Sequence, residues 1–243
     1  MTDRLYIKDG YLREFTATVI GSNADEQWLI LDQTAFYPAG GGQPSDTGII
    51  RYDNETLEVT RVISFQDEIR HLIRGKLPSL GQVVTGIPNW ERRYSLMRTH
   101  TALHMLSAVI WRDYQAQVTG GNMEPLKGRL DFELEAMNAE LISEIERKVN
   151  AEVAAAHPVS ARILSRPEAE KIPDLIRTKV NLLPSSLTEI RIVKIGDLDL
   201  QADGGTHVNN TEEVGKISIV KYKSKGRINK RIQIELEDLP YPR

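Results

Sequence analysis

The amino-acid sequence predicts an α+β protein, with a small antiparallel β-barrel followed by a domain in which helices pack on an antiparallel sheet. Three observations lead to this prediction. Residues 1–88 contain short apolar strands separated by turn residues and show no long helical periodicity. A helical pattern of apolar residues begins near residue 91. Strands with alternating apolar and polar residues follow late in the chain, so helices and sheet belong to the same second domain.

The barrel is predicted from short segments rich in β-branched and aromatic residues. Three such segments lie at residues 16–20, 28–31 and 59–63. The stretch at residues 86–90 then combines glycine, proline and asparagine, which favour turns and interrupt regular structure. We therefore predict two domains, residues 1–88 and residues 89–243.

The second domain is predicted to contain two long helices, at residues 91–112 and 138–156. In the first helix, apolar residues recur at helical spacing; they are Leu96, Leu103, Leu106, Val109 and Ile110. A short helix follows at Pro167, where Ser165 and Glu168 fit a capping box. Further strands are predicted at residues 188–195, 216–222 and 227–236.

Composition indicates a globular protein. The chain has 243 residues, 40% of them hydrophobic and 27% charged, with a formal net charge of −3. This is enough apolar material for a packed core.

No apolar run is long enough to cross a membrane and the first residues lack a signal-peptide pattern, so we expect a cytoplasmic protein with no membrane partner. The chain has no cysteine, which excludes disulfides and thiol catalysis. No obligate protein partner is predicted.

Three of the five histidines fall in two short segments. His100 and His104 stand four residues apart in the first predicted helix, so their imidazoles share one face and can converge on one ion. Asp203 and His207 flank a Gly-Gly turn far downstream. Zinc commonly takes three or four ligands of these types, and we predict one metal site. Thr101 replaces the glutamate of the His-Glu-x-x-His motif, which argues against a metalloprotease. Alternatively, Asp203 is a turn residue that caps the following backbone.

A run of three glycines, Gly40, Gly41 and Gly42, precedes Gln43 and Pro44. Its spacing matches neither the Gly-x-Gly-x-x-Gly pattern of dinucleotide-binding proteins nor a phosphate-binding loop. Consecutive glycines permit either a sharp turn or the close approach of a backbone to a ligand. From the residues alone, a hairpin turn is favoured.

Residues 216–231 carry seven lysines or arginines and no acidic residue, although the chain as a whole is acidic. Such a local excess of positive charge suits a phosphate backbone, and binding through it depends strongly on salt. The alternative is a solvated hairpin whose lysines protect a sheet edge. The residues that we predict to contact nucleic acid are Arg92, Arg93, Lys223, Lys225 and Arg227.

Four segments in order resemble the editing domain of alanyl-tRNA synthetase and its free-standing relatives, the AlaX proteins. They are residues 35–44 with the glycine run, residues 92–106 with the histidine pair, residues 128–132, and residues 201–208 with Asp203 and His207. The resemblance extends over nearly the whole chain, and it is to the medium-length AlaX type with a glycine-rich amino-terminal domain.

The resemblance implies specific roles for these residues. One Zn²⁺ would be held by His100, His104, Asp203 and His207. The family usually has cysteine where this chain has Asp203, and a carboxylate is a harder zinc ligand than a thiolate. Gly40, Gly41, Gly42 and Gln43 would lie beside the editing pocket and help to select the aminoacyl group. The candidates for hydrogen bonds to the substrate hydroxyl or the attacking water are Thr101, Thr206 and Gln43.

The implied activity is hydrolysis of the ester that links a wrong amino acid, serine or glycine, to tRNA(Ala). This step would support translation fidelity without ATP. Zinc would either activate a water molecule or orient the substrate.

Two alternative functions stay open. A metal-dependent hydrolase of another small ester predicts turnover that is insensitive to salt, and a non-catalytic tRNA-binding module with a structural metal predicts zinc-dependent folding without turnover.

Overall fold

A computed structural model describes residues 2–66, 68–176 and 187–241. The chain divides into two compact units, Met1–Ser95 and Leu96–Arg243. The first contains a closed β-barrel and the second combines helices with antiparallel sheets, which confirms the predicted α+β fold. No helix in the described part of the chain is both long enough and apolar enough to span a membrane.

The first unit is mainly β-structure. Its elements are β1 (Asp3–Arg4), α1 (Leu5–Lys8), β2 (Phe15–Asn23), β3 (Trp28–Leu31), β4 (Gln33–Thr34), β5 (Gly48–Tyr52), β6 (Glu55–Phe65), β7 (Glu68–Arg74) and β8 (Val83–Pro88). Six strands close into a barrel in the order β2-β3-β7-β6-β5-β8, with antiparallel neighbours. Alternate residues point inward and fill the barrel with apolar side chains, as a barrel of this size requires.

A buried histidine lies inside this barrel. His71 on β7 is completely buried. One of its ring nitrogens, Nε2, is 2.9 Å from the hydroxyl of Thr34, and the other, Nδ1, is 3.2 Å from the carbonyl oxygen of Leu29. Burial lowers the pKa of His71 to about 4. The imidazole is therefore neutral at pH 7, and its two hydrogen bonds satisfy its polar atoms inside the core.

The helix that carries the histidine pair is α2 (Trp90–Tyr114), and the division between the two units falls within it. The side chain of Asn89 caps its start by accepting a hydrogen bond from the Arg92 N–H at 3.0 Å. The sequence pattern predicted one inward-facing stripe. Instead, the structure buries every residue from 93 to 110 except the half-buried His104. A helix buried on all sides is a rigid support for side chains.

The remaining elements belong to the second unit. They are β9 (Val118–Glu124), β10 (Lys127–Glu133), α3 (Ala139–Ala154), β11 (Val159–Ser165), α4 (Arg166–Ala169), β12 (Glu189–Ile195), β13 (Asp199–Ala202), a 3-10 helix (Thr211–Val214), β14 (Ile217–Ser224) and β15 (Asn229–Leu236). One antiparallel sheet has the order β14-β15-β10-β9 and another the order β11-β12-β13. The predicted capping box of Ser165 and Glu168 is present at α4.

Close packing places α2 on the four-stranded sheet. A Cβ atom added to Gly128 on β10 would lie 2.9 Å from Cδ2 of Leu103, closer than real Cβ contacts. Glycine at this position therefore lets the helix approach the strand. Because Leu103 lies between His100 and His104 in the sequence, the same contact helps to set the position of the histidines.

Candidate metal centre

Helix α2 presents His100 and His104 one turn apart. Their ring centroids are 5.0 Å from each other, and the ring planes are inclined by 74°. The side chain of His100 is 6% exposed and that of His104 is 12% exposed. Polar rings at this degree of burial need hydrogen-bond partners or a bound ion.

The loop that follows β13 supplies the other two residues. Arg191 on β12 donates from Nη1 to the carbonyl oxygens of Asp203 and Gly205, at 3.1 and 2.9 Å. The Gly205 N–H donates to Oδ2 of Asp203 at 2.7 Å, which is the turn-capping contact considered as the alternative for this residue. These bonds hold the loop so that His207 and Asp203 lie side by side, with Nε2 and Oδ2 3.0 Å apart.

The four predicted ligands converge on one point. The His207 ring stacks on His100, with centroids 4.3 Å apart, and lies 4.8 Å from His104. One nitrogen of each histidine and one oxygen of Asp203 all lie within 4.8 Å of one another. A cluster of this composition and spacing can hold a metal ion.

Thr101 determines which nitrogen of His207 carries the proton. Its hydroxyl donates to the Met97 carbonyl oxygen at 3.0 Å and accepts from the Val208 N–H at 3.3 Å. The same oxygen is 3.1 Å from Nδ1 of His207. Since the hydroxyl has one proton and gives it to Met97, Nδ1 is the donor in this contact. The lone pair of His207 is then on Nε2, which faces Asp203.

Asp199 determines which nitrogen of His104 carries the proton. Its Oδ2 atom lies 3.1 Å from Nδ1 of His104, and a carboxylate can only accept. Nδ1 therefore carries the proton, and Nε2 is left as the acceptor. Gln201 also donates to Oδ2 of Asp199, at 2.8 Å. Asp199 is 3% exposed and was not among the predicted site residues.

Burial shapes the electrostatics of the cluster. It lowers the pKa of His100 well below the ordinary value and that of His207 to about 4. For Asp203, burial is the largest single influence and raises the pKa, whereas the neighbouring His100, His207 and His104 together lower it by more. The net pKa of Asp203 lies well below its ordinary value. At pH 7 the lowered pKa values leave His100 and His207 neutral and Asp203 ionised, the forms that bind metals.

The spacing of the acceptor atoms fits a metal ion. Nε2 of His207 is 3.0 Å from Oδ2 of Asp203, and Nε2 atoms of His100 and His104 are 3.4 and 4.0 Å from Oδ1. An unprotonated ring nitrogen and a carboxylate oxygen this close repel each other unless a cation lies between them. Ligands about 2.0–2.1 Å from a tetrahedral zinc ion are spaced by about 3.3 Å. The donor set is therefore compatible with zinc.

The other predicted catalytic residues occupy different surroundings. Thr206 lies in the metal-site loop next to His207 and is 1% exposed. Gln43 is 2% exposed and belongs to the barrel unit. Thr101 was predicted to contact the substrate, but its buried hydroxyl has three protein partners, so the structure gives it an orienting role instead.

The glycine run forms a tight hairpin turn, as the residues alone favoured. Gly40 and Gln43 exchange two backbone hydrogen bonds, at 3.1 and 2.9 Å. Gly41 and Gly42 between them have φ values of +59° and +88°, which two-residue hairpins favour and L side chains rarely adopt. A Cβ atom at either position would have no heavy atom within 4 Å, so the tip of the turn is open.

Arg93 does not lie on the surface, where a side chain must be to contact tRNA. Its guanidinium is completely buried, forms an ion pair with the equally buried Asp46, and donates to the carbonyl oxygen of Gly10 at 2.9 Å. Burial therefore corrects the prediction for this residue. Arg92 is half-buried, and its Nε donates to the carbonyl oxygen of Ser45 at 3.1 Å.

The basic segment divides into an exposed part and a structural part. Lys223, Lys225 and Arg227 are exposed in and beside the turn between β14 and β15. By contrast, Lys230 is 5% exposed and donates to backbone carbonyl oxygens of the same turn. Arg231 pairs with Asp131 at 2.6 Å. The predicted surface residues are thus accessible, while the last two positive charges stabilise the hairpin.

Sequence reasoning missed two residues that organise the site, Asp199 and Arg191. The only signal for Asp199 was an acidic residue four positions before Asp203 in a short strand. Arg191 gave no signal, because its contacts are to backbone carbonyls that only the folded loop brings near.

Two family models match parts of the chain. Residues 190–233 match the model described as "Threonyl and Alanyl tRNA synthetase second additional domain", a stretch that includes Asp203 and His207. Residues 10–92 match the model described as "tRNA synthetases class II (A)". The first match lies within the unit Leu96–Arg243 and the second within the unit Met1–Ser95.

Individual relatives match over almost the whole chain. The alanyl-tRNA editing protein AlaX-M of Methanosarcina barkeri is 38% identical over 244 residues, which cover 98% of this chain and 100% of the relative. AlaX-M of Saccharolobus solfataricus is 37% identical over 236 residues, covering 96% and 98%. An alanine–tRNA ligase of Pyrobaculum neutrophilum is 37% identical over 227 residues, or 90% of this chain, but only 25% of the ligase.

Proposed function

This chain belongs to the family of alanyl-tRNA editing proteins, AlaX, and from this premise we propose that it hydrolyses the aminoacyl ester of mischarged tRNA(Ala). The observation that carries the proposal is the convergence of His100, His104, Asp203 and His207 within 4.8 Å. The cluster supplies candidate metal ligands in a chain of the editing family, and the ester would be cleaved at this site. The cytoplasm, where charged tRNA is used, is the proposed location.

The proposed cofactor is one Zn²⁺ held by the four residues of the cluster. Three imidazole nitrogens and one carboxylate oxygen make a ligand set that zinc accepts. When bound, zinc would act as a Lewis acid by accepting a water molecule or the ester carbonyl as a further ligand beside the four residues. Asp203 replaces the usual thiolate, so the hydrogen bonds that orient the histidines matter more for retaining the ion.

The chain's own residues bind and orient the reacting groups. Oδ2 of Asp203 is held by the Gly205 N–H, which leaves Oδ1 directed toward His100 and His104. Thr206 and Gln43 are the proposed donors or acceptors for the amino-acid hydroxyl or the attacking water. Because an aminoacyl ester is already activated, orientation of the ester and water supplies much of the required help.

Serine and glycine are the proposed amino acids to be removed. A site that hydrogen-bonds the serine hydroxyl favours serine over alanine, because alanine leaves buried polar groups without a partner; this reason applies to serine and not to glycine. The turn formed by Gly40, Gly41, Gly42 and Gln43 is proposed to lie beside the aminoacyl group. The absence of side chains at its open tip would let its backbone approach a ligand closely.

The tRNA is proposed to bind through exposed positive charges. The proposed contacts are Lys223, Lys225, Arg227 and Arg92, and the buried Arg93 is left out. Contacts of this kind act on the phosphate backbone without reading sequence, so affinity should fall as salt rises. Replacing Lys223 and Arg227 with alanine together should weaken binding of all tRNAs to a similar extent and reduce the salt dependence.

Deacylation assays test the proposal directly. Seryl-, glycyl- and alanyl-tRNA(Ala) are each incubated with native protein, chelator-treated protein, and chelator-treated protein with zinc restored. We expect loss of serine or glycine while alanine is retained, with activity abolished by chelation and recovered with zinc. His104→Ala should be inactive. The matched control is His157→Ala, which removes a half-buried histidine outside the cluster.

The other outcomes distinguish the alternatives. Zinc-dependent folding without turnover on any charged tRNA would favour a non-catalytic tRNA-binding module. Turnover of small esters at a rate that salt does not change, with mischarged tRNA left intact, would favour a different hydrolase. Either result would refute the editing function.

A further inference from the structure

A buried carboxylate outside the four ligands contacts the candidate metal centre. Asp199 on β13 is 3% exposed, and its Oδ2 atom is 3.1 Å from Nδ1 of His104. The same oxygen accepts a hydrogen bond from Gln201 at 2.8 Å. Burying a carboxyl group costs free energy unless its polar atoms are hydrogen-bonded, so its place beside a candidate ligand needs a reason.

We infer that Asp199 is a positioning residue that holds His104 in the tautomer and ring orientation needed for metal binding. The inference rests on the proposed function, because it assumes that the cluster binds a divalent metal. As an obligate acceptor, the carboxylate keeps the proton of His104 on Nδ1 and directs the lone pair of Nε2 toward Asp203. A negatively charged partner also makes the imidazole a stronger donor to a cation.

The Gln201 hydrogen bond explains why Asp199 can impose this orientation. Because Gln201 and Asp199 are two positions apart on β13, their side chains lie on the same face of the strand. Two donors converge on one oxygen of Asp199, which limits rotation of its carboxyl group. His104 thereby receives a fixed acceptor rather than a mobile one.

His104 and His207 differ in the partner that orients them. The partner of His207 is the neutral hydroxyl of Thr101, whereas the partner of His104 is an ionisable carboxyl group. His104 is also the most exposed of the three histidines in the cluster, so solvent competes for it most readily. We therefore expect loss of Asp199 to weaken metal binding more than loss of the Thr101 hydroxyl does.

Metal affinity of the full chain tests this role without an activity assay. Zinc affinity is measured by competition with a chromophoric chelator for the unsubstituted protein, Asp199→Asn, Asp199→Ala and Thr101→Val. Replacing such partners of metal ligands costs about 10- to 100-fold in affinity, and we expect Asp199→Asn near the lower end because its amide oxygen still accepts a hydrogen bond. Asp199→Ala should lie near the upper end, and Thr101→Val should lose less than Asp199→Ala.

A second measurement separates positioning from structural support. The absorption spectrum of the cobalt-substituted protein reports ligand geometry, and we expect it to change in Asp199→Asn while the thermal stability of the metal-free protein stays close to that of the unsubstituted chain. The matched control is Asp131→Asn, which changes another buried carboxylate of the same unit, paired with Arg231. This control should retain the zinc affinity and the cobalt spectrum.

Unchanged zinc affinity and cobalt spectrum in Asp199→Asn and Asp199→Ala would overturn the inference. An equal loss of affinity in Asp131→Asn would also overturn it, since any buried carboxylate would then have the same effect. If the unsubstituted chain binds no divalent metal, both the inference and the proposed cofactor fail. If it binds zinc but leaves mischarged tRNA intact, only the proposed function fails.

Discussion

Replacing His71 with glutamine should remove much of the pH dependence of barrel stability between pH 7 and pH 5. In the folded barrel, burial lowers the pKa of His71 to about 4. Its ordinary value in an unfolded chain is about 6.5. Glutamine keeps a donor and an acceptor for Leu29 and Thr34 but does not titrate in this range.

The sign and size of the effect follow from these two values. Between pH 6.5 and pH 4 the unfolded chain binds the proton of His71 more readily than the folded chain, so stability decreases as pH falls. The full shift corresponds to about 3 kcal/mol, of which about 2 kcal/mol is lost between pH 7 and pH 5. Because the side chain is completely buried, solvent screening does not reduce this contribution.

Native-state hydrogen exchange of the amides in β3 and β7 measures the relevant free energy of opening at both pH values. The unsubstituted chain should lose about 2 kcal/mol more than His71→Gln on going from pH 7 to pH 5. His157→Gln serves as a control, since it removes a partly exposed histidine outside the barrel. Equal losses in the unsubstituted chain and His71→Gln would refute the assignment of a neutral buried imidazole.

Three further predictions have defined outcomes. Gly128→Ala should lower the free energy of unfolding by about 1–3 kcal/mol in urea titrations, because its Cβ atom would overlap a leucine of α2, whereas Gly204→Ala meets open space and should cost little. Arg93→Met should destabilise the barrel unit by about 3–5 kcal/mol in the same titrations, since it leaves Asp46 buried and charged. Asp203→Cys should bind zinc more tightly and make deacylation sensitive to alkylation, while the cysteine-free natural chain is insensitive.

Local sequence signals predicted much of the fold because neighbouring residues produce them. The capping box of Ser165 and Glu168 depends on four consecutive positions, and the structure confirms it. The side-chain cap at Asn138 begins α3 within one residue of the predicted start. The glycine run makes a hairpin turn because its two central residues adopt positive φ. None of these features requires a distant partner.

Long-range contacts explain where sequence reasoning failed. Arg93 looked like a surface cation, yet its partner Asp46 is 47 positions away and both are buried. Thr101 was predicted to contact the substrate, but its hydroxyl accepts a hydrogen bond from His207, 106 positions away. The pattern of a single chain does not indicate which distant carboxylate or ring will meet a given side chain.

The sequence by itself identified the four candidate metal ligands, since His100 and His104 at a spacing of four share one helical face and Asp203 and His207 flank a turn. Only the tertiary structure shows that these two segments meet and which nitrogens of His104 and His207 point inward. The orientation of these rings depends on the contacts of Asp199 with His104 and of Thr101 with His207, which join residues about 100 positions apart. Helical periodicity acts over one turn, whereas the orientation of a ligand depends on whatever the complete fold packs against it.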